Sequence, residues 1–308
     1  MRPVQPPNPK TRKPKLVVPA GACDTHLHVY GAPGQYSISE ERNYTPDPHS
    51  TLDDYLGVHR TLGLERAVIV TGSANGTNNR VTLDALARMR EKFKGLALLD
   101  PTVTDSELTA LKNAGMTGFR VKTDGKGGLS FDSTAKMAAR VAGFGWHVEF
   151  LSHSLAEAIA AVPFFNGLKM PYVFDHVAHA RPADAETGAF KELLRILQNE
   201  AHVWVNLYSF YQESQEGPPD YIDMVPVVQA IIETRPDRVI WGSNWPHAGI
   251  GGPMPNDADL LDFLLAAVVD GEIRRLILVD NPAELYGWAT SGTLSADAAV
   301  GKGFDRDK

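Results

Sequence analysis

One pattern constrains this chain more than any other: a short apolar run followed by a stretch with helical spacing, repeated eight times. The runs are ACDTHLHVY (22–30), RAVIVTG (66–72), GLALLDP (95–101), GFRVKT (118–123), HVEFLS (147–152), YVFDHV (172–177), HVWVNLYS (202–209) and RVIWGS (238–243). Between them, segments such as TLDDYLGVHRTLG, NRVTLDALARMREKF, SELTALKNAG and DMVPVVQAIIETRP place apolar residues at i, i+3 and i+4. Gaps of that length hold crossover helices rather than hairpin turns, so the strands are expected to run parallel. Eight such units over roughly 250 residues predict an α/β fold, a closed (β/α)8 barrel of the TIM type. The alternative is an open doubly wound sheet, but no Gly-x-Gly-x-x-Gly turn follows the first run.

The flanks read differently. Residues 1–19 are basic and proline-rich and predict a disordered arm, 20–290 the barrel, and 291–308 a polar tail. No long apolar run follows the basic start, so neither a secretory signal nor a membrane span is expected, and the expected location is cytoplasmic. A net charge of -7 argues against nucleic acid or an anionic membrane as the main partner. Cys23 is the single cysteine, which precludes an internal disulfide and reads as buried filler. The sequence sets no oligomeric state.

Active sites of such barrels lie at the C-terminal ends of the strands. The polar residues ending each run are therefore the candidates: His26 and His28; Ser73 and Asn75; Arg120 and Lys122; Ser152 and His153; Asp175, His176 and His179; Asn206, Tyr208 and Tyr211; Asn244 and His247. His26 and His28 are two apart on a strand, so they share a face roughly 7 Å apart along it. Two imidazoles entering one cavity suit metal ligation or acid–base work. Arg120 and Lys122 alternate the same way, with Lys126 in the glycine-rich loop beyond. Arginine holds a carboxylate through paired charge-assisted bonds; the alternative for Arg120 is an internal ion pair with Asp175 or Glu149. The loop SANGTNNR offers donors for hydroxyl groups, while Thr77 or Asn78 could simply cap the helix starting at Arg80.

CDTHLHVYG, GSANGTNNR, GFRVKTDGKGG, FDHVAHARP and WGSNWPH, in that order, resemble the amidohydrolase superfamily. The branch they resemble is that of 2-pyrone-4,6-dicarboxylate lactonase and its sugar-lactone relatives, from about residue 20 to ILVDNPAELYGW (277–288). The resemblance implies that His26, His28, His176 and a last-strand residue form the catalytic group. That last position, an aspartate in the family, is Asn244 here. Many amidohydrolases hold divalent ions. This branch works without metal, and an amide in place of the carboxylate agrees with that, so no metal or other cofactor is expected. Where the dicarboxylate pattern has further arginines, this chain has His179 and Gln212, which favours a substrate with one carboxylate and several hydroxyls.

Asn244 cannot act as a base on water. A hydroxyl already on the substrate can attack instead, because well-oriented intramolecular nucleophiles reach effective molarities of roughly 10⁵–10⁸ M. In an aldaric acid δ-lactone the C4 hydroxyl attacks C1 and expels the C5 oxygen, giving the γ-lactone without consuming water. The resemblance includes such an activity, interconversion of the 1,5- and 1,4-lactones of galactarate in galacturonate catabolism. The expected partner is thus a small sugar-acid lactone, bound by Ser73, Asn75, Arg120, Lys126, Ser152, His179 and Tyr208. Alternatives are a lactonase with His179 or His247 as base, a metal-dependent hydrolase or decarboxylase, and an inactivated or non-catalytic sugar-acid binder.

Overall fold

The computed structural model describes residues 2–122 and 129–289. All eight apolar runs contain strands: β1 (Cys23–Leu27), β2 (Arg66–Val70), β3 (Phe93–Ala97), β4 (Met116–Lys122), β5 (His147–Leu151), β6 (Tyr172–Phe174), β7 (Val203–Asn206) and β8 (Val239–Ile240). Each pairs in parallel with the next in sequence. Backbone bonds close the circle: Thr25 N donates to Trp241 O at 3.0 Å, Asn244 N to His26 O at 2.8 Å and His28 N to Trp245 O at 2.7 Å. The fold is the expected (β/α)8 barrel.

Two residues make that seam possible. At Gly242 a Cβ would lie 2.7 Å from the backbone nitrogen of His26, so only glycine lets β1 and the last run approach this closely. Asp24, fully buried beneath the seam, accepts from Ser243 N at 2.8 Å, Ser243 Oγ at 2.6 Å and Tyr55 Oη at 2.9 Å. Burial pushes its carboxyl up to about 6, against the pull of those donors.

The helical segments fall where the periodicity put them, at Leu52–Leu62, Arg80–Met89, Asp105–Asn113 and Val225–Thr234 among others. Thr51 with Asp54 and Thr104 with Glu107 form capping boxes that satisfy the first backbone donors of two of them. Asn78 Oδ1 accepts from Arg80 N at 3.0 Å, so that loop residue does serve a helix start. One apolar layer lies between strands and helices; the other sheet face buries Cys23, Val68, Val70, Leu96, Val173 and Ile240 inside the barrel. Cys23 is indeed buried filler.

The N-terminal segment departs from the disordered arm expected for it. Arg12 pairs with Asp259 and Asp262 on helix Asp257–Ala267, and the amides of Lys15 and Leu16 donate to Asp262 at 2.8 and 2.9 Å. Leu16 is buried in the outer layer. Composition hid this because one leucine and one arginine meeting an acidic helix start suffice to dock it. Residues 291–308 lie outside the described residues. Among the described residues no helix is long and apolar enough to cross a membrane.

Candidate active site

β1 brings His26 and His28 into the barrel mouth, both buried, their rings edge to face with centroids 4.9 Å apart. His28 Nδ1 lies 2.8 Å from the carbonyl oxygen of Val70. A carbonyl only accepts, so Nδ1 carries the hydrogen and Nε2 keeps its lone pair. Burial, then the neighbouring His26 and Arg120, hold His28 well below the usual imidazole range. His26 is likewise lowered by burial and Arg120. Its ring stacks on Tyr208 at 3.7 Å between centroids, and its Nδ1 approaches Glu149 Oε1 at 3.1 Å without an aligned hydrogen bond. Burial therefore favours the neutral form of both first-strand histidines.

Arg120 and Glu149 are cross-strand partners on β4 and β5. The arginine gives Nε and Nη2 to Asp175 Oδ2 at 3.0 and 2.6 Å, and Nη2 also reaches Tyr208 Oη at 3.0 Å. Its Nε is 3.4 Å from Glu149 Oε1. This corrects the expectation that Arg120 chiefly clamps a substrate carboxylate. It forms the internal ion pair left open as the alternative, and only Nη1 is without a partner among the described residues. Desolvation raises both carboxyls, Glu149 to about 7 and Asp175 to about 6, with Arg120 opposing.

After β6 the chain makes a left-handed turn. His176, Val177, Ala178 and His179 have φ of 51, 55, 54 and 55°, each costing roughly 1–2 kcal/mol for an L-residue. Such strain persists where the surroundings over-determine it, typically at a functional site. Here it sets His176 4.9 Å from His179 and 4.6 Å from Tyr208, ring to ring. His179 Nδ1 bonds Glu213 Oε1 at 2.9 Å, and Arg181 Nε donates to the other oxygen at 3.0 Å.

Asn244 also has positive φ, at 62°. Its Nδ2 donates to Ser209 Oγ at 2.7 Å and Tyr211 Oη at 3.0 Å. His26, His28, His176, Arg120 and Tyr208 thus share one cluster, with Asn244 joined to it through its backbone bond to His26. Ser73 Oγ donates to Tyr44 Oη at 3.4 Å, while Asn75 Oδ1 and Ser152 Oγ are buried without partners. Lys126 lies outside the described residues. His247 is fully buried with both ring nitrogens engaged, by Tyr211 and Asp257, which removes it as a base for water. The sequence passed over Glu149 as a site residue, although a glutamate inside the apolar run HVEFL, in phase with the barrel interior, was a usable signal.

The expectation of no metal leaned on an amide standing at position 244 where the family has a carboxylate, but two other carboxylates lie beside His26. Ligand atoms of His26, Glu149 and Asp175 lie within 4.8 Å of one another, and several are buried without a hydrogen bond. The donor set suits a divalent ion in kind. It does not fit one in place, because the Arg120 guanidinium is the cation already seated among these oxygens. Two positive groups a few ångströms apart repel strongly inside a protein.

Comparison with known proteins agrees with this architecture. Residues 23–288 match the family profile described as Amidohydrolase. A 4-sulfomuconolactone hydrolase of Rhizobium radiobacter is 35% identical, covering 92% of this chain and 96% of its own. D-galactarolactone isomerase of Agrobacterium fabrum (strain C58 / ATCC 33970) is 27% identical, covering 89% and 93%. The crystal structure of a probable 2-pyrone-4,6-dicarboxylic acid hydrolase from Acinetobacter baumannii, with citric acid bound, superposes with a TM-score of 0.75 at 27% identity, covering 87% and 99%. The chain belongs to the amidohydrolase family.

Proposed function

We propose that the chain is a lactone-acting enzyme that transfers the lactone acyl group to a hydroxyl of the same substrate, converting an aldaric δ-lactone such as D-galactaro-1,5-lactone to the 1,4-lactone. The observation carrying this is Asn244: both amide hydrogens go to Ser209 and Tyr211, and no carboxylate base stands on the last strand. His28 Nε2 takes the proton of the attacking C4 hydroxyl. The tetrahedral oxyanion is met by donors of the cluster, and collapse returns the proton to the departing C5 oxygen. Positioned donors and bases of this kind contribute about 10²–10⁴ each in rate. Asn75 Oδ1 and Ser152 Oγ, buried and unpartnered, suit the substrate hydroxyls. His179 and Tyr208 would contact the substrate, and Arg120 Nη1 with Lys126 would meet the free carboxylate. No metal takes part in this scheme.

The second reading is a lactone hydrolase. Two observations favour it: the greater identity to a hydrolase than to an isomerase, and Glu149, whose carboxyl at about 7 could support a base on water. Turnover of galactaro-1,5-lactone in ¹⁸O-enriched water, followed by mass spectrometry, separates the two. Isomerisation gives an unlabelled product of unchanged mass, whereas hydrolysis gives the labelled open-chain acid. A substrate left to its spontaneous rate, with turnover of a muconolactone instead, would overturn the sugar-lactone assignment.

A further inference from the structure

Four buried side chains form one line behind the cluster. Asp257 opens the helix Asp257–Ala267, His247 sits in the loop after β8, and Tyr211 lies in the short helix Phe210–Glu213 after β7. His247 Nε2 is 3.0 Å from Asp257 Oδ1, His247 Nδ1 is 2.8 Å from Tyr211 Oη, and Tyr211 Oη is 3.0 Å from Asn244 Nδ2. Asp257 and His247 are fully buried and Tyr211 nearly so.

The line has one consistent polarity. The Asp257 carboxylate only accepts, so His247 Nε2 carries the hydrogen. Nδ1 then has the lone pair and takes the Tyr211 hydroxyl proton. The phenol oxygen is left as an acceptor, and the group that meets it must donate. Only the NH₂ end of an amide can do so. Ser209 Oγ takes the second amide hydrogen at 2.7 Å, which leaves Asn244 Oδ1 outside the network.

We propose that Asp257, His247 and Tyr211 are positioning residues for Asn244: they fix which end of its amide faces the cavity, so that Oδ1 is presented there as an acceptor for a substrate hydroxyl. The same polarity says what an aspartate would meet at this place. A carboxylate would face the lone pairs of Tyr211. To relieve that, the Tyr211 proton turns to the carboxylate and His247 takes a second proton, lying as an imidazolium between Asp257 and Tyr211. The groups facing His247 are that carboxylate and that hydroxyl. The relay discriminates amide from carboxylate at position 244 through the charge on a histidine that touches no substrate.

The benefit to turnover, and with it the kcat of Tyr211→Phe, rests on the lactone reading; the tautomer and charge of His247 do not, because they are read without substrate. The full-length protein, labelled with ¹⁵N in histidine, is observed by long-range ¹H–¹⁵N correlation, with His247→Gln assigning the signal. At pH 7 the parent should show His247 as the neutral Nε2–H tautomer. Asn244→Asp should convert it to the imidazolium at the same pH. Adding Tyr211→Phe to Asn244→Asp should return it to neutral. Tyr211→Phe alone, which keeps the ring, should lower kcat on the lactone about tenfold with KM within about twofold. An Nδ1–H tautomer in the parent, or a His247 charge indifferent to Asn244→Asp, overturns the relay. Should Asn244→Asp fail to fold, the parent tautomer decides alone.

Discussion

His26 Nδ1 lies 3.1 Å from Glu149 Oε1, and both side chains are completely buried. Burial lifts the Glu149 carboxyl to about 7 while Arg120 pulls the other way, so this carboxyl changes charge in the working range of the site. Only its ionised form can take a proton from the neighbouring ring. With the parent, kcat/KM should rise as pH passes upward through about 7. Glu149→Gln keeps the shape and should lower the plateau about 10²-fold and flatten that limb. The stability effect runs the other way. The folded carboxyl holds its proton above the unfolded value, so ionising it costs stability as pH rises from about 4.5 to about 7. The melting temperature of Glu149→Gln should therefore gain on that of the parent from pH 5 to pH 8. A variant with the parent's pH–rate profile would sink the assignment.

Arg120 is the counter-ion of this cavity, and its removal should convert the site. Arg120→Met leaves Asp175 and Glu149 buried without their cation, at a cost of about 3–5 kcal/mol. It also vacates the place where a divalent ion would sit among His26, Glu149 and Asp175. Chelator-stripped parent dialysed against zinc should retain well under one equivalent. The variant should retain about one and regain several degrees of melting temperature with it. Stoichiometric zinc in the parent would show that guanidinium and metal coexist, and the metal-free scheme would have to go.

How much of this was legible follows from the range of the signals. Strand position and strand order come from local periodicity, and all eight runs contain strands. His26 and His28 were readable because strand alternation fixes where a side chain points, whereas Asn244, beyond the end of β8 and at positive φ, was readable through the family motif. His176 and His179 were readable only as motif residues: nothing in the local pattern announces four left-handed residues with a valine among them. Asp175 and Glu149 were readable as possible partners of Arg120, but the choice between that ion pair and a substrate clamp, and the joining of Asp257 to Tyr211 through His247, depend on contacts between residues far apart in the chain. Pattern along the chain cannot supply those. The docked N-terminal segment failed for the opposite reason, because composition averages over the few residues that anchor it.

Gly242 tests the seam. A methyl there would sit 2.7 Å from His26 N and 2.8 Å from His26 Cβ, both on a strand fixed from either side. Neither atom can swing away as a side-chain tip would. Gly242→Ala should cost about 3 kcal/mol, the upper part of the range for overpacking, and displace His26 with it. Denaturant unfolding gives the first figure. Activity per folded molecule gives the second and should fall by more than tenfold. A variant within about 0.5 kcal/mol of the parent would mean that the seam is looser than drawn.

His147 lies at the far end of β5 from the cluster, edge on to Tyr286 with centroids 5.0 Å apart. Burial holds its pKa down at about 3, only partly offset by the Thr117 backbone. The unfolded chain takes up this proton near pH 6.5, whereas the folded chain refuses it until about 3. The histidine's neutral burial therefore counts in full above about pH 6.5, and stability is lost as pH falls towards 3, by at most about 1.4 kcal/mol per pH unit for one proton. His26, His28, His176 and His59 are lowered in the same direction, so the whole protein should be acid-labile. His147→Gln removes one proton from that sum and leaves the catalytic end alone. Urea unfolding at pH 7.5, 5.5 and 4.5 should show the variant losing stability with a slope shallower by about one proton than the parent. Equal slopes would mean that His147 is protonated in the folded state, with a partner that neutral burial does not provide.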